Sequence, residues 1–287
     1  MSWRPAIVSD LPHVEDLIRQ NELTAASLSS RLKGRTDSRH LELPKRTTGE
    51  LLVHESKGID ALLYLERNGF SFPLFTPEYL RTGSSADLSL RAVLKPLGRQ
   101  LFSCMGSRKD VEHFISLLDP KPYHRVEYAV MSRGRKQPHA PLAYNGDLRI
   151  ETAVPADLPR LLPLQLGYER EEVLIPGKTI NEAYTRRQLI ESIQSQRIIY
   201  ATYRGHIVAK AQTNAIGLQV EQLGGIFTLP EYRGRGIGTA LVESISRMII
   251  ADGRVVCLFV KTDNRAAKRV YEKCGFLMGP AFTIAYF

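Results

Sequence analysis

Residues 231–245 read EYRGRGIGTALVESI, and this stretch decides how the second half of the chain is interpreted. Three glycines and two arginines precede an apolar stripe whose spacing predicts one face of an amphipathic helix: Leu241, Val242, Ile245, Met248 and Ile249. The preceding residues 225–229, GIFTL, have strand composition, and residues 255–260, VVCLFV, predict a buried strand after the helix. The segment therefore predicts strand, glycine loop, helix and strand in succession.

A glycine loop at the start of a helix is suited to an anion. The first N–H groups of a helix have no partner within it, and the helix dipole places positive charge at that end. Glycines at 234, 236 and 238 leave these N–H groups open to an anion, and Arg233 and Arg235 add charge for phosphate oxygens. The loop lacks the Gly-Lys-Ser/Thr of mononucleotide loops, and its glycines are closer together than in the dinucleotide fingerprint. It therefore predicts a pyrophosphate site of another kind.

The chain contains one pattern twice. Asp10-Leu11-Pro12 recurs as Asp157-Leu158-Pro159, and Gly58, between two strand-like runs, recurs as Gly205 at the same offset. Each copy reads as a strand, an apolar-periodic helix and a hairpin with a glycine turn. The first copy has no Gly-x-Gly before a helix. The repeat therefore predicts two related units, of which the first lacks the loop.

The composition is that of an ordinary globular protein. The 287 residues are 43% hydrophobic and 24% charged, without an apolar run of membrane-spanning length. The start of the chain is unlike a signal peptide, and the three cysteines lack metal-binding or CxxC spacing, so we expect a cytoplasmic protein without disulfides or a metal site. The net charge of +9 fits a solvated basic surface as well as a basic patch, and no RNA-binding signature accompanies it.

Two motifs in the second half resemble those of the GCN5-related N-acetyltransferase superfamily. The pattern Arg233-x-x-Gly236-x-Gly238 follows Pro-Glu-Tyr and is similar to the acetyl-CoA loop of that superfamily. Residues 263–276, DNRAAKRVYEKCGF, are similar to its second signature, in which the matching residues are Asn264, Ala267, Tyr271, Gly275 and Phe276. The resemblance covers about residues 148–287.

The whole chain is similar to bacterial proteins with two tandem acetyltransferase folds, of which the C-terminal copy keeps the cofactor loop. The resemblance implies an α/β (α+β) fold with a mixed sheet flanked by helices in each domain. We assign residues 1–131 to a degenerate domain, 132–147 to a linker rich in Gly, Pro and basic residues, and 148–287 to the acetyltransferase domain. A monomer and a homodimer both remain open.

The resemblance also implies which residues bind acetyl-CoA. In this superfamily the pantetheine arm pairs with the backbone of the strand before the loop, which here means Ile226, Phe227 and Thr228. The pyrophosphate would contact the loop and the first turn of the helix: Arg233, Gly234, Arg235, Gly236, Ile237, Gly238 and Thr239. Asn264 occupies the start of a predicted helix and favours an N-cap, and the resemblance adds a contact with the cofactor.

Two residues are candidates for the chemistry. Tyr271 matches the superfamily's general acid, which protonates the departing CoA thiolate, and a phenol with an ordinary pKa of about 10 keeps its proton at neutral pH. The alternative for Tyr271 is an aromatic ring that fills the inner face of its helix. Glu221, on the strand leading to the loop, is the candidate general base, directly or through water, against the alternative of an exposed strand residue.

The resemblance implies an N-acetyltransferase in which a primary amine attacks acetyl-CoA directly in a ternary complex. The acceptor remains open between a small molecule, a peptide terminus and a lysine side chain, and the acyl group between acetyl and a longer chain. Residues 168–173, YEREEV, lie where this fold builds its acceptor wall, and they read either as a receptor for a cationic amine or as a solvated acidic turn. Two alternatives are a CoA-binding regulatory module without turnover and an acetyltransferase of an RNA-associated protein; no membrane partner is expected.

Overall fold

The structure is a computed structural model that describes residues 2–33, 40–82, 84–95, 101–119, 121–137 and 147–287. The chain divides into two compact units, and the division is not linear along the sequence. The first unit comprises Met1–Val130, Lys261–Asp263 and Gly279–Phe287, and the second comprises Met131–Val260 and Asn264–Met278.

The first unit is a mixed sheet with helices packed on it. Its elements in chain order are β1 (Trp3–Pro5), α1 (Leu11–Leu32), β2 (Gly49–Glu55), β3 (Ile59–Glu66), β4 (Phe70–Phe75), α2 (Pro77–Thr82), α3 (Ser84–Leu94), β5 (Ser103–Ser107), α4 (Arg108–Ser116) and β6 (His124–Arg133). Strands β1 to β5 are neighbours in chain order, antiparallel except for the parallel pair β4 and β5.

The second unit repeats this plan. Its elements are β7 (Leu148–Thr152), α5 (Leu158–Tyr168), a π-helical turn (Glu169–Val173), α6 (Glu182–Ser195), β8 (Ile198–Tyr203), β9 (His206–Ile216), β10 (Val220–Thr228), α7 (Ile237–Ala251), β11 (Val255–Lys261) and α8 (Arg265–Lys273). The strand order is β11-β10-β9-β8-β7, with β10 and β11 parallel and the other pairs antiparallel. The predicted strand, loop, helix and strand after residue 225 are confirmed.

The repeat extends to hydrogen bonds. The carboxylate of Asp10 accepts from the backbone N–H of Ile7 at 2.8 Å, and that of Asp157 accepts from Val154 at 3.0 Å. In both units this bond closes a short 3-10 turn at the start of the first helix. The hairpins β2–β3 and β8–β9 follow, as the sequence predicts, and the two tandem mixed α/β folds are confirmed.

The last strand, β12 (Leu277–Tyr286), lies between β5 and β6 in the strand order, and its residues from Gly279 onward belong to the first unit. Its residues 282–286 pair antiparallel with β5, and Phe282 and Ala285 are buried there. Thr283 Oγ1 donates to Glu127 Oε2 of β6 at 2.8 Å. The expected domain of residues 148–287 therefore differs from the compact unit, because hydrophobic alternation shows that a strand is buried but not which strands it pairs with.

The predicted linker also begins later than expected. Ser132 and Arg133 continue strand β6, and the guanidinium of Arg133 donates to Glu243 Oε2 at 2.6 Å and to Oε1 at 3.3 Å, with both side chains buried. A basic residue that reads as linker composition is in fact one half of an internal ion pair. Residues 138–146 of the predicted linker lie outside the described residues.

Two general features concern the described residues alone. Within them no helix is long and apolar enough to cross a bilayer, and no group of three or more His, Cys, Asp or Glu side chains could hold a metal ion. Cys104, Cys257 and Cys274 are buried, and none of them forms a disulfide within the described residues.

Candidate functional site

The glycine loop has the geometry of an open anion cradle. Gly234 and Gly236 have φ values of +75° and +79°, in the left-handed region that favours glycine. A Cβ at either position would meet no protein atom within 4 Å, so the space beside both is open. Gly236 is the N-cap of α7, and no side chain caps that helix start. The first turn of α7 therefore presents backbone N–H groups and the positive dipole end to the opening.

Both arginines of the loop are fixed by neighbouring groups. Arg233 Nε donates to the carbonyl of Thr228 at 2.9 Å, and its Nη2 donates to both oxygens of Glu171 at 2.8 and 2.9 Å. Arg235 Nη2 donates to the carbonyl of Glu231 at 3.1 Å, and its guanidinium lies 5.4 Å from the ring of Tyr232. Two guanidinium groups therefore flank the cradle.

The strand before the loop loses its partner at the point where a ligand would enter. The described pairing of β10 with parallel β11 runs from Val220 to Leu223. Beyond it the register against β9 shifts between Gly224 and Phe227, and Gly225 has a φ of +54°. Phe227 is buried against Gly167 of α5, while Ile226 and Thr228 are half-buried. The backbone of 224–228 is thus free on its β11 side.

Asn264 and Tyr271 lie at either end of α8. Asn264 Oδ1 accepts from the backbone N–H of Ala267 at 3.0 Å, which confirms the predicted N-cap, and its Nδ2 donates to Glu172 at 3.4 Å. Tyr271 is buried, with its ring 6.0 Å from that of Phe276. Burial raises the pKa of Tyr271 well above its usual value, and the nearby Tyr168 and Glu172 side chains add smaller effects in the same direction. Its phenol therefore keeps its proton at any physiological pH.

The segment YEREEV, residues 168–173, contacts both the glycine loop and the start of α8. After Tyr168 the helix α5 widens into the π-helical turn Glu169–Val173, a form that occurs often at functional sites. Glu171 contacts Arg233, Glu172 contacts Asn264 and lies near Tyr271, and Glu169 accepts from Thr185 at 2.6 Å. The acidic turn therefore lies against the loop, the start of α8 and Tyr271, and is not a free solvated turn.

The structure does not support the expected role of Glu221 as general base. It has no exposed surface, and Arg197 donates to its two oxygens at 2.8 and 3.2 Å while Arg254 lies 3.4 Å away. It lies at the start of β10, roughly 20 Å along the strand from Thr228 at about 3.3 Å per residue. A carboxylate held by two guanidinium groups at the wrong end of the strand does not fit the role of general base.

Sequence reasoning missed a polar group that the structure places beside the strand break. Lys210 in β9 is fully buried, and its Nζ donates to Gln212 and to the carbonyl of Gly225. The signal was a lysine inside the otherwise apolar run IVAKA, residues 207–211. A charged residue at an inward position of a strand is rare without a partner or a role.

The corresponding region of the first unit is used differently. Pro77-Glu78-Tyr79 repeats the tripeptide Pro230-Glu231-Tyr232, but here the chain enters helix α2. The Tyr79 side chain is buried, and its hydroxyl accepts a hydrogen bond from Trp3 and donates one to Asp87. A small pocket with space for about one water molecule lies between α1 and the ends of β4 and β5. Asp110 at its edge accepts from Ser107 Oγ and from Phe75 N, and burial raises its pKa to about 6.

Comparisons with known proteins agree with this geometry. Residues 201–279 match the family described as FR47-like protein. A segment of 59 residues is 39% identical to an uncharacterised N-acetyltransferase of Methanocaldococcus jannaschii, covering 20% of this chain and 26% of that protein. The match thus spans about a quarter of the length of that relative.

Solved structures extend the likeness over the whole chain. A GCN5-related N-acetyltransferase from Sphaerobacter thermophilus superposes with a TM-score of 0.64 at 19% identity, over 99% of this chain and 94% of that one. A tandem GNAT protein from the clavulanic acid biosynthesis pathway gives 0.56 at 14% identity, over 99% and 98%. At these identities the likeness concerns the fold, including its tandem form.

Proposed function

We propose that this chain belongs to the GCN5-related N-acetyltransferase superfamily and that its second unit moves an acetyl group from acetyl-CoA to a primary amine, as its similarity to acetyltransferases supports. The observation that carries the proposal is the loop at the start of α7. Its two left-handed glycines open onto free space, and a Cβ at either would fill part of the cradle. This is the arrangement that an anion at a helix N-terminus requires.

The residues present fit the cofactor at three points. Backbone N–H groups at Gly236, Ile237, Gly238 and Thr239, with Arg233, Gly234 and Arg235, would hold the pyrophosphate. The backbone of Ile226, Phe227 and Thr228 lies beyond the described pairing with β11, and on that side it would pair with the pantetheine arm as a further strand does. Asn264 would contact the cofactor with the amide that now reaches Glu172.

Acetyl-CoA supplies a thioester, whose carbonyl carbon is open to attack by an amine. Tyr271 holds its proton because burial raises its pKa, so its hydroxyl can donate to the sulfur as negative charge develops there. The π-helical turn offers Glu169, Glu171 and Glu172 as a negatively charged wall for a cationic amine. The Arg233–Glu171 ion pair is about half exposed and therefore weak. Phosphate oxygens would replace Glu171 as the partner of Arg233 when the cofactor binds.

Calorimetric titration with acetyl-CoA tests the site. We expect micromolar binding by the intact chain and a loss of about a hundredfold in Gly236→Glu, which puts a carboxylate where the pyrophosphate lies. Gly253→Glu is the matched control, because Gly253 has the same left-handed φ of +81° at the opposite end of α7. Equal affinity in Gly236→Glu and Gly253→Glu would contradict the assignment of the loop.

Turnover separates an enzyme from a binding module. Thiol release with 1,4-diaminobutane and with a lysine-containing peptide is expected to fall about a hundredfold in Tyr271→Phe, with acetyl-CoA affinity unchanged. If acetyl-CoA binds and Tyr271→Phe changes no rate, the regulatory-module function is favoured.

A further inference from the structure

Lys210 is a buried lysine that no ion pair explains. Its Nζ donates to Gln212 Oε1 at 2.7 Å and to the carbonyl oxygen of Gly225 at 3.0 Å. Among the residues that the structure describes, no carboxylate forms an ion pair with it, and Glu169 attracts it from a longer range. Buried arginine and lysine side chains in proteins normally have a carboxylate partner.

The surroundings of Nζ favour an uncharged amine. Burial lowers the pKa of Lys210 to about 7, against the smaller opposing effect of Glu169. Titratable side chains of the neighbouring elements near Lys210 include Glu169 of the π-helical turn, Tyr168 of α5, whose ring centre is 5.7 Å from Nζ, and Tyr200, the cross-strand partner in β8. An uncharged amine has two N–H groups, matching its two acceptors, and one lone pair. The neutral form is therefore satisfied while its lone pair remains unused.

Lys210 also begins a polar row that leads to the surface. Gln212 Nε2 donates to Asn214 Oδ1 at 3.3 Å, so Lys210, Gln212 and Asn214 line one face of β9 from its buried centre to an exposed end. This row covers the glycine pair of β10. A Cβ on Gly224 would meet Asn214, and one on Gly225 would meet Gln212 and Lys210 within 3 Å.

The row lies where the reacting groups of the proposed reaction would meet. Gly225 immediately precedes Ile226–Thr228, the proposed backbone partners of the pantetheine, and it lies just past the last β10–β11 pair. We propose that Lys210 is the proton acceptor of the transfer, with its uncharged Nζ facing the thioester carbonyl. This inference rests on the proposed function and fills the role that Glu221 cannot.

In the proposed reaction, Lys210 and Tyr271 each handle one of the two protons that the acceptor ammonium loses. The lone pair of Lys210 takes one proton from the acceptor ammonium, and the acceptor nitrogen then forms a C–N bond to the acetyl carbon. The C–S bond breaks, the sulfur leaves with its electron pair, and Tyr271 passes it the second proton lost by the acceptor nitrogen. Lys210 then releases its proton to water, which restores the uncharged amine.

Bromoacetyl-CoA tests the position and charge of Lys210 without knowledge of the acceptor. The Nζ lone pair displaces bromide from the methylene carbon, leaving a CoA adduct that peptide mass spectrometry locates. We expect the adduct on Lys210, at a rate that rises about tenfold in total from pH 6 to 9 and levels off above about pH 8, as a group of pKa about 7 does. A lysine of ordinary pKa would rise about a thousandfold over the same range without levelling.

Variants and competitors complete the test. Excess CoA and the variant Lys210→Met should each abolish the adduct, whereas Lys178→Met, at an exposed position of the same unit, should leave it unchanged. If Lys210→Met does not fold, the pH profile of the intact chain decides alone. Acetyl-CoA binding without an adduct on Lys210 overturns the role of Lys210 and leaves the proposed function standing. Absence of acetyl-CoA binding overturns the proposed function itself.

Discussion

At the scale of single residues, buried charge in the second unit falls into two kinds. Arg133 with Glu243, and Arg197 with Glu221, are pairs in which each charge has a partner of opposite sign. Removing one member of such a pair leaves a buried charge with fewer partners, which is costly, so these residues stabilise the fold. Lys210 has neutral acceptors in place of a carboxylate. The fold therefore tolerates Lys210 best when it carries no charge.

The stability of the fold should depend on pH through Lys210. An unfolded lysine has a pKa of about 10.4, whereas burial lowers that of Lys210 to about 7. Between these values the unfolded chain binds one proton more than the folded chain, so the free energy of unfolding rises with pH by up to about 1.4 kcal/mol per unit. The cost of burying the charge is complete below about pH 7 and vanishes above about pH 10.5.

Urea unfolding at about pH 7 and pH 9 measures this effect as the difference between the intact chain and Lys210→Met. We expect the intact chain to gain stability relative to the variant as pH rises. Lys178→Met, whose side chain is exposed, should show a difference that does not change with pH. A pH-independent difference for Lys210→Met would mean that Lys210 titrates as in the unfolded chain.

At the scale of elements, the irregular stretch of β10 is what opens the site. The register shift between Gly224 and Phe227 frees the backbone from regular pairing, and the two glycines leave room for the row of polar side chains on β9. The π-helical turn after α5 contributes from another element, because its Glu171 contacts Arg233 of the loop and its Glu172 contacts Asn264 at the start of α8.

The two glycines of β10 should differ in their tolerance of alanine. At Gly225 a Cβ would lie 2.8 Å from buried Gln212 and 2.9 Å from Lys210 Nζ, and its φ of +54° disfavours a side chain. At Gly224 the obstacle is the end of Asn214, an exposed side chain that can turn away. We expect Gly225→Ala to lower the free energy of unfolding by about 1 to 3 kcal/mol and Gly224→Ala by less than about 1 kcal/mol. Equal urea midpoints for the two variants would contradict this account of the bulge.

At the scale of the whole molecule, the chain does not end in the unit to which most of its second half belongs. Strand β12 returns to the first unit and pairs with β5, so that unit needs both ends of the chain. The fold of the first unit therefore depends on a strand that follows most of the second unit in the sequence.

Removal of residues 279–287 should expose strand β5 of the first unit to solvent. Strand β5 would lose its antiparallel partner, and the buried side chains of Phe282 and Ala285 would be missing. We expect amide hydrogen exchange in β5 (Ser103–Ser107) to accelerate by several orders of magnitude. Phe282→Ala keeps the backbone pairing and should cost about 3 to 5 kcal/mol, with partial protection retained. Unchanged protection of β5 in the truncated chain would contradict the assignment of β12 to the first unit.

The parts of this protein that could be predicted from sequence are those governed by neighbours along the chain. The glycine loop, the N-cap at Asn264 and the stripe of α7 depend on contacts within a few residues, so residue type and spacing suffice, except that Met248 of the predicted stripe is exposed. The repeat followed from the same local signals appearing twice.

The remaining features depend on residues far apart in the chain, and only the tertiary structure decided them. Glu221 was expected near the reaction, but the two arginines that hold it come from the end of α6 and the start of β11. The burial of Lys210 depends on the bulge in a neighbouring strand, and β12 pairs with β5, which lies far from it in the sequence. Strand pairing and charge burial depend on partners brought together by folding, and such partners leave no mark on local periodicity.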